Sequence, residues 1–151
     1  MNEMRLNKIT RRWTIYAADR GERPFDFAAH AGDAAVLPRY DPSCPFCPGN
    51  EHLLPPIIAT LPENSEPWQT RVVPNKFPIL TPHGTAGHVD QEVYMSAPGY
   101  GHHEVIIETP RHDADLFSLS KTEASAVIDT YHRRYTDLAQ DSRNLLILLF
   151  R

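Results

Sequence analysis

Cysteine is almost absent from this sequence, which contains only Cys44 and Cys47 among 151 residues. A small secreted domain held together by several disulfides is therefore excluded. The sequence also lacks an apolar run of about 18 residues, so no membrane-spanning helix is predicted. The N-terminal residues lack the apolar segment of a secretory signal, and we expect a cytoplasmic protein whose thiols stay reduced.

Basic charge is also scarce, because the formal net charge is -4 at pH 7. A general nucleic-acid binder is excluded, since such proteins show a domain-wide basic excess. Arginine outnumbers lysine twelve to three, which fits phosphate recognition by planar guanidinium groups, although a bias in composition explains the ratio equally well. The length predicts one domain, placed at residues 1–151.

Several common catalytic motifs are missing from the sequence. It contains no Gly-rich phosphate loop, no Gly-x-Ser-x-Gly and no His-Glu-x-x-His. No nucleophile stands beside a matched base. The residues by themselves predict no catalytic centre.

The two cysteines are spaced as CPFC, which suits either a redox pair or half of a zinc site. A redox pair needs its first thiolate at the N-terminus of a helix. Pro48, Gly49 and Asn50 follow the motif directly and argue against such a helix. Half of a zinc site is therefore the favoured interpretation.

A closed zinc site needs two further ligands, which eight histidines or a carboxylate could supply. His102 and His103 begin a predicted strand and point to opposite faces, so both cannot bind the same ion. His112 lies just after this strand, whose end could bring it to the cysteines, and is the favoured third ligand. A surface role stays open for each candidate, including His83, His88 and His132.

Two further groups of residues suggest nucleotide chemistry. Arg20 and Arg23 follow a predicted strand and could clamp a phosphate by bidentate hydrogen bonds, or belong to a solvated loop. Asn75 interrupts the apolar run RVVPNKF, where it could contact a base edge or a ribose hydroxyl. Alternatively, Asn75 only satisfies a bulge beside Pro74.

The predicted elements are mostly strands. WTIYAA at 13–18 alternates like a strand, and a short extended piece is predicted at PIIATL. TRVVPNKFPIL at 70–80 predicts a strand interrupted by Pro74, which confines it to a sheet edge or a bulge. QEVYMSAP and HHEVIIET flank a Gly-Tyr-Gly connection, which predicts a hairpin.

One long helix is predicted after these strands. Ser120 and Glu123 form a capping box, and apolar residues then follow at helical spacing until about residue 140. LLILLF at 145–150 predicts a buried strand. Since the sequence stops one residue later, we expect this strand to need a partner chain or a second half of the protein.

Four segments, in this order, resemble the N-terminal half of galactose-1-phosphate uridylyltransferases, which belong to the histidine-triad superfamily. They are RLNKITRRWTIYAADRGERP, CPFCPGNE, RVVPNKFPIL and GHHEVIIETPRHD. The resemblance implies an α+β fold: a histidine-triad-like half-barrel with an antiparallel sheet and one long helix, incomplete at the C-terminus. Phosphorylases of ADP-sugars and dinucleoside polyphosphates share similar segments.

The resemblance also implies a zinc-containing nucleotidyltransferase of galactose metabolism that acts on a UDP-sugar and a hexose 1-phosphate through a uridylylated histidine. By matching position, Cys44, Cys47 and His112 are implied as zinc ligands. Arg20 and Arg23 are implied to contact the nucleotide diphosphate. Asn75 and Lys76 are implied to approach the uridine. Nucleic acid and membrane are excluded as partners by the acidic net charge and the lack of a long apolar run.

The sequence departs from the family pattern at one important point. The family's nucleophile and its fourth zinc ligand lie in a His-Pro-His-x-Gln segment, and no His-x-His occurs in this sequence. We therefore expect an N-terminal portion that is inactive alone and that forms a homodimer or pairs with a C-terminal half. The alternatives are a domain of the related phosphorylases and a non-catalytic zinc-binding half-domain.

Overall fold

A computed structural model describes residues 2–22, 37–63, 66–83 and 87–151. The chain divides into two compact units. The first contains Met1–His30 and Asn75–His103, and the second contains Ala31–Pro74 and Glu104–Arg151. The single domain placed at residues 1–151 stays a prediction. No helix within the described ranges combines the length and apolar character needed to cross a membrane.

The first unit contains a four-stranded antiparallel sheet in the order β2-β1-β6-β5. Its strands are β1 (Glu3–Asn7), β2 (Arg12–Tyr16), β5 (Val89–Asp90) and β6 (Tyr94–Pro98). Asn7 closes the β1–β2 turn, because its side-chain oxygen accepts the Ile9 and Thr10 N–H groups. A short 3₁₀ helix, Ala18–Glu22, follows β2 and holds Arg20.

The second unit contains a three-stranded antiparallel sheet in the order β3-β4-β7. Its strands are β3 (Ala59–Leu61), β4 (Thr70–Pro74) and β7 (Glu104–Ile107). Trp68, Val73 and Ile107 form a buried apolar cluster against which Leu54 and Val105 pack. Burying these side chains stabilises the unit by about 2 kcal/mol for each large apolar residue.

The long helix α1 (Lys121–Ala139) belongs to the second unit and begins where the sequence predicts. Ser120 accepts the Glu123 N–H, and the Glu123 carboxylate accepts the Ser120 N–H, so the predicted capping box is confirmed. Val127 and Thr130 are fully buried, one helical turn apart. Thr130 hydrogen-bonds Thr70 at 2.6 Å, which attaches α1 to β4.

Ser120→Ala should lower the free energy of unfolding by about 1 kcal/mol, because the Glu123 N–H loses its acceptor. Urea unfolding measures the change. Ser125→Ala is the matched control, since Ser125 is an exposed serine within the same helix. We expect the control to leave stability unchanged or to raise it by about 0.5 kcal/mol. Equal losses in both variants would contradict the capping role.

The α+β class, with antiparallel strands and one long helix, is confirmed. Two details of the strand prediction are wrong. QEVYMSAP and HHEVIIET form no hairpin, because β6 pairs with β1 and β5 while β7 pairs with β4. β4 is the central strand of its sheet and not an edge. Pro74 is the last residue of β4, so its missing N–H costs little there.

The buried strand predicted at LLILLF is also wrong. Residues 145–150 have no strand assignment, and none of the described strands pairs with them. Leu145 is 93% exposed and Phe150 is 76% exposed. A strand requires a hydrogen-bonded neighbour, and an apolar run by itself does not specify one.

Candidate metal centre and nucleotide contacts

Cys44, Cys47 and His112 come together in the second unit, as the sequence predicts. Their ligand atoms all lie within 4.8 Å of one another. Cys47 is buried and the other two are half-buried. Among the described residues, no fourth histidine, cysteine or carboxylate joins this group.

The cysteine loop is built from successive turns and not from an α-helix. The Cys44 N–H donates to the Asp41 carbonyl, and the Cys47 N–H donates to the Cys44 carbonyl. Asn50 is buried, and its side-chain NH₂ group donates to the carbonyls of both Asp41 and Cys44. These two hydrogen bonds hold the cysteine loop in its conformation. The absence of a helix starting at Cys44 agrees with the interpretation as half of a metal site.

The contacts of Cys47 suit a thiolate bound to a cation. Burial raises the pKa of the free Cys47 thiol. The Asp41 N–H points at Cys47 Sγ at 3.4 Å and would stabilise a thiolate bound to a cation. The Ser43 hydroxyl holds the pKa of the Asp41 carboxyl below its ordinary value. A negative charge therefore persists beside the group.

The geometry of the group suits zinc. Cys47 Sγ lies 3.6 Å from His112 Nδ1. Sulfur and nitrogen ligands of one tetrahedral zinc ion lie about 3.6 Å apart, given Zn–S near 2.3 Å and Zn–N near 2.0 Å. Two thiols and an imidazole are also the ligand types that zinc prefers. These three residues could therefore hold a metal ion.

The contacts of His112 and Glu51 position the group. The His112 N–H donates to the Arg39 carbonyl, which holds His112 near the cysteine loop. Glu51 opens the 3₁₀ helix Glu51–Leu53, directly after Asn50, and bonds Arg71 of β4 at 2.7 Å. Glu51 and Arg71 are not predicted as site residues from the sequence. Glu51 is the last residue of the CPFCPGNE segment, and that position could have indicated a role beside the cysteines.

The predicted nucleotide residues that the structure describes all belong to the first unit. Arg20 is half-buried, Lys76 is exposed, and Asn75 is half-buried directly after β4. The Asn75 side-chain oxygen accepts the Phe77 N–H at 2.8 Å, so the amide is held by its own turn. Arg23 lies outside the described residues.

His103 is the neighbour of these residues that the sequence analysis considered only as a metal ligand. Its carbonyl accepts the Asn75 N–H at 2.8 Å, and its Nε2 lies 3.4 Å from Asn75 Nδ2. Its Nδ1 accepts the Ile79 N–H at 3.1 Å. Burial, and then the positive charge of Arg20, hold the pKa of His103 below its ordinary value. Asn75 and His103 therefore form one polar group, on which the positive charge of Arg20 acts.

The chain was compared with known proteins. Residues 1–150 match the family described as galactose-1-phosphate uridyl transferase, N-terminal domain. An ADP-glucose phosphorylase of Arabidopsis thaliana is 31% identical over 148 residues, covering 95% of this chain and 41% of that protein. A probable galactose-1-phosphate uridylyltransferase of Drosophila melanogaster is 27% identical over 136 residues, covering 89% and 37%.

Solved structures give the same answer for the fold. The crystal structure of the Arabidopsis thaliana ADP-glucose phosphorylase with bound ADP-glucose superposes with a TM-score of 0.56 at 27% identity, covering 94% of this chain and 40% of that one. A uridylyltransferase structure gives a TM-score of 0.57 at 22% identity, covering 93% and 36%, and shows the fold alone.

The chain thus spans about two fifths of the length of the curated relatives described above. The family match covers nearly all of its residues, and the four motif segments lie within that match. The chain therefore belongs to the galactose-1-phosphate uridyl transferase family, whose N-terminal domain it matches.

Proposed function

We propose that residues 1–151 form the N-terminal domain of a UDP-glucose–hexose-1-phosphate uridylyltransferase of galactose metabolism. The observation that carries this proposal is the family match over residues 1–150. The domain would bind the nucleotide sugar and a structural metal ion. Its substrates would be a UDP-sugar and a hexose 1-phosphate.

Zinc is the metal in this proposal, held by Cys44, Cys47 and His112. The ligand types and the 3.6 Å separation of sulfur and nitrogen support it. The fourth ligand would be water, another side chain or a residue of a partner chain. Bound zinc would fix the cysteine loop to His112, in the segment after β7. A cytoplasmic location, where free thiols persist, belongs to the same proposal.

The nucleotide would be bound by Arg20, Arg23, Asn75 and Lys76. Arginines suit a diphosphate because the guanidinium group presents paired donors to phosphate oxygens. Asn75 and Lys76 would approach the uridine, with Asn75 held in place by Phe77.

Transfer itself would require a nucleophilic histidine that is not among these 151 residues, because the sequence contains no His-x-His. We therefore expect no exchange between UDP-glucose and galactose 1-phosphate from these residues alone. The complete catalytic unit would be a homodimer or a pair with a C-terminal half. Turnover by the 151 residues alone would contradict this expectation.

A second candidate is an ADP-glucose phosphorylase. It is favoured by the 31% identity to the Arabidopsis thaliana protein and by the ADP-glucose bound in that protein's crystal structure. The two candidates share the sugar and the diphosphate and differ in the base. The relative affinity for UDP-glucose and ADP-glucose therefore separates them.

Under the first candidate the chain binds UDP-glucose more tightly than ADP-glucose, which isothermal titration calorimetry measures. Arg20→Gln should weaken binding of both nucleotides by about tenfold, because a charge-assisted hydrogen bond to phosphate is lost. Arg12→Gln is the matched control, since Arg12 is an exposed arginine of β2 in the same unit. The control should leave both affinities unchanged.

The opposite preference, for ADP-glucose, would replace the first candidate by the second. A zinc-containing chain that binds neither nucleotide would contradict both and leave a non-catalytic zinc-binding half-domain. Equal losses of nucleotide affinity in Arg20→Gln and Arg12→Gln would show that Arg20 does not contact the nucleotide.

A further inference from the structure

The hydrogen bonds of His103 determine which of its ring nitrogens carries a proton. Nδ1 lies 3.1 Å from the backbone nitrogen of Ile79, and a backbone N–H can only donate. Nδ1 is therefore an unprotonated acceptor. Since burial and the charge of Arg20 favour the neutral ring, its single proton lies on Nε2. His103 Nε2 is then a hydrogen-bond donor.

The orientation of the Asn75 amide follows from the same reasoning. Its oxygen accepts the Phe77 N–H at 2.8 Å, so the other end of the amide is the NH₂ group. That nitrogen, Nδ2, lies 3.4 Å from His103 Nε2. Both atoms carry N–H groups, so they cannot hydrogen-bond each other. Exchanging the oxygen and nitrogen of the Asn75 amide would place the NH₂ group against the Phe77 N–H, so two donors would face each other there instead.

Asn75 Nδ2 and His103 Nε2 are thus two donors held side by side. The Phe77 N–H fixes the orientation of the Asn75 amide, and the Ile79 N–H fixes the tautomer of the His103 ring. The positive charge of Arg20 also acts on His103. Among the described residues, none supplies an acceptor to either donor. An oxygen with two lone pairs could accept from both donors at once. The added positive charge favours an oxygen that carries negative charge.

We propose that Asn75 Nδ2 and His103 Nε2 together bind one acceptor oxygen of a nucleoside phosphate, with Arg20 providing positive charge beside it. This proposal rests on the proposed function and adds His103 to the site as a binding residue. His103 contributes twice, because its carbonyl accepts the Asn75 N–H and its ring presents the Nε2 donor beside the Asn75 amide.

Two substitutions separate the roles of the two ring nitrogens. His103→Asn places an amide oxygen near the position of Nδ1, so the Ile79 N–H keeps an acceptor while the Nε2 donor is lost. His103→Gln places an amide nitrogen near the position of Nε2 and loses the acceptor for Ile79. His102→Asn is the matched control, because His102 is exposed and adjacent.

We expect His103→Asn to weaken UDP-glucose binding by about tenfold with unchanged folding. His103→Gln should keep most of the affinity, and His102→Asn all of it. Wild-type affinity in His103→Asn would overturn the inference and leave the proposed function standing. Failure of the wild-type chain to bind UDP-glucose and ADP-glucose would overturn the proposed function instead, and this inference with it.

Nitrogen NMR of the wild-type histidines tests the inference even if both variants fail to fold. We expect His103 to be the tautomer with its proton on Nε2, and the Nε2 signal to shift on adding UDP-glucose. A proton on Nδ1, or an Nε2 signal that saturating UDP-glucose leaves unchanged, would overturn the inference. Separate titrations with uridine and with inorganic pyrophosphate identify which part of the nucleotide supplies the oxygen.

Discussion

Removal of zinc should lower the midpoint of thermal unfolding by about 10 °C. A ligand that binds only the folded state, at a free concentration about a thousand times its Kd, stabilises that state by about 4 kcal/mol. For a chain of about 150 residues, each kcal/mol shifts the midpoint by about 2–4 °C. Thermal unfolding with and without a zinc chelator measures the difference, and metal analysis should find about one zinc ion per chain.

Substitution of the ligands should give the same loss of stability and of metal. Cys47→Ser and His112→Ala should each abolish stoichiometric zinc, because each removes one of only three described ligands. His52→Ala is the matched control, since His52 is an exposed histidine in the 3₁₀ helix that follows the cysteine loop. It should retain zinc and the wild-type midpoint.

The metal site at Cys44, Cys47 and His112 can be refuted by metal analysis, thiol titration and unfolding. A purified chain without zinc, whose two thiols react freely and whose unfolding a chelator does not change, would refute it. A disulfide between Cys44 and Cys47 that forms and breaks reversibly without metal would favour the redox alternative. The absence of a helix starting at Cys44 argues against that alternative, because the first thiolate of a redox pair needs a helix N-terminus to lower its pKa.

The parts of the fold that the sequence predicts are those that depend on interactions between residues close together in the chain. The capping box at Ser120 and Glu123 depends on residues three apart, and it forms as predicted. The strand pairing depends on residues far apart in the chain. β1 pairs with β6 across about ninety residues, and no local pattern in QEVYMSAP distinguishes that partner from HHEVIIET. The predicted hairpin failed for this reason.

In the candidate sites, too, local sequence patterns predict some residues, whereas contacts between distant residues could not be predicted. The spacing of CPFC predicts two ligands, and the position of His112 after β7 predicts the third. Their supports could not be predicted, because Asn50 and Arg71 act through backbone carbonyls and an ion pair that only the fold brings together. His103 was missed because its donor role depends on the Ile79 N–H, twenty-four residues away.

Glu51→Ala should lower the free energy of unfolding by about 3 kcal/mol, because it leaves a buried charge without its partner. The Arg71 side chain is only 4% exposed and lies 2.7 Å from the Glu51 carboxylate. Its guanidinium also stacks on Trp68, 4.4 Å from the ring centre. The other carboxylate within reach, Glu66, is 3.7 Å away and 76% exposed, so it compensates weakly.

A double-mutant cycle separates this ion pair from a general packing effect. Arg71→Met should cost about 1 kcal/mol, because a side chain of similar length fills the site and Glu51 remains partly hydrated. In the Arg71→Met background, Glu51→Ala should cost less than about 0.5 kcal/mol, which urea unfolding resolves. Glu66→Ala is the matched control and should also cost less than about 0.5 kcal/mol. Equal costs of Glu51→Ala in both backgrounds would contradict the coupling.

The same pair connects the cysteine loop to the sheet of the second unit. Glu51 lies four residues after Cys47, and Arg71 belongs to the central strand β4. We expect Glu51→Ala to weaken zinc binding by about tenfold, since supports around metal ligands contribute on this scale. Competition with a chelator of known affinity measures the change. An unchanged zinc affinity, together with lost stability, would show that the pair stabilises the unit without organising the loop, because the ligands would then reach the metal unaided.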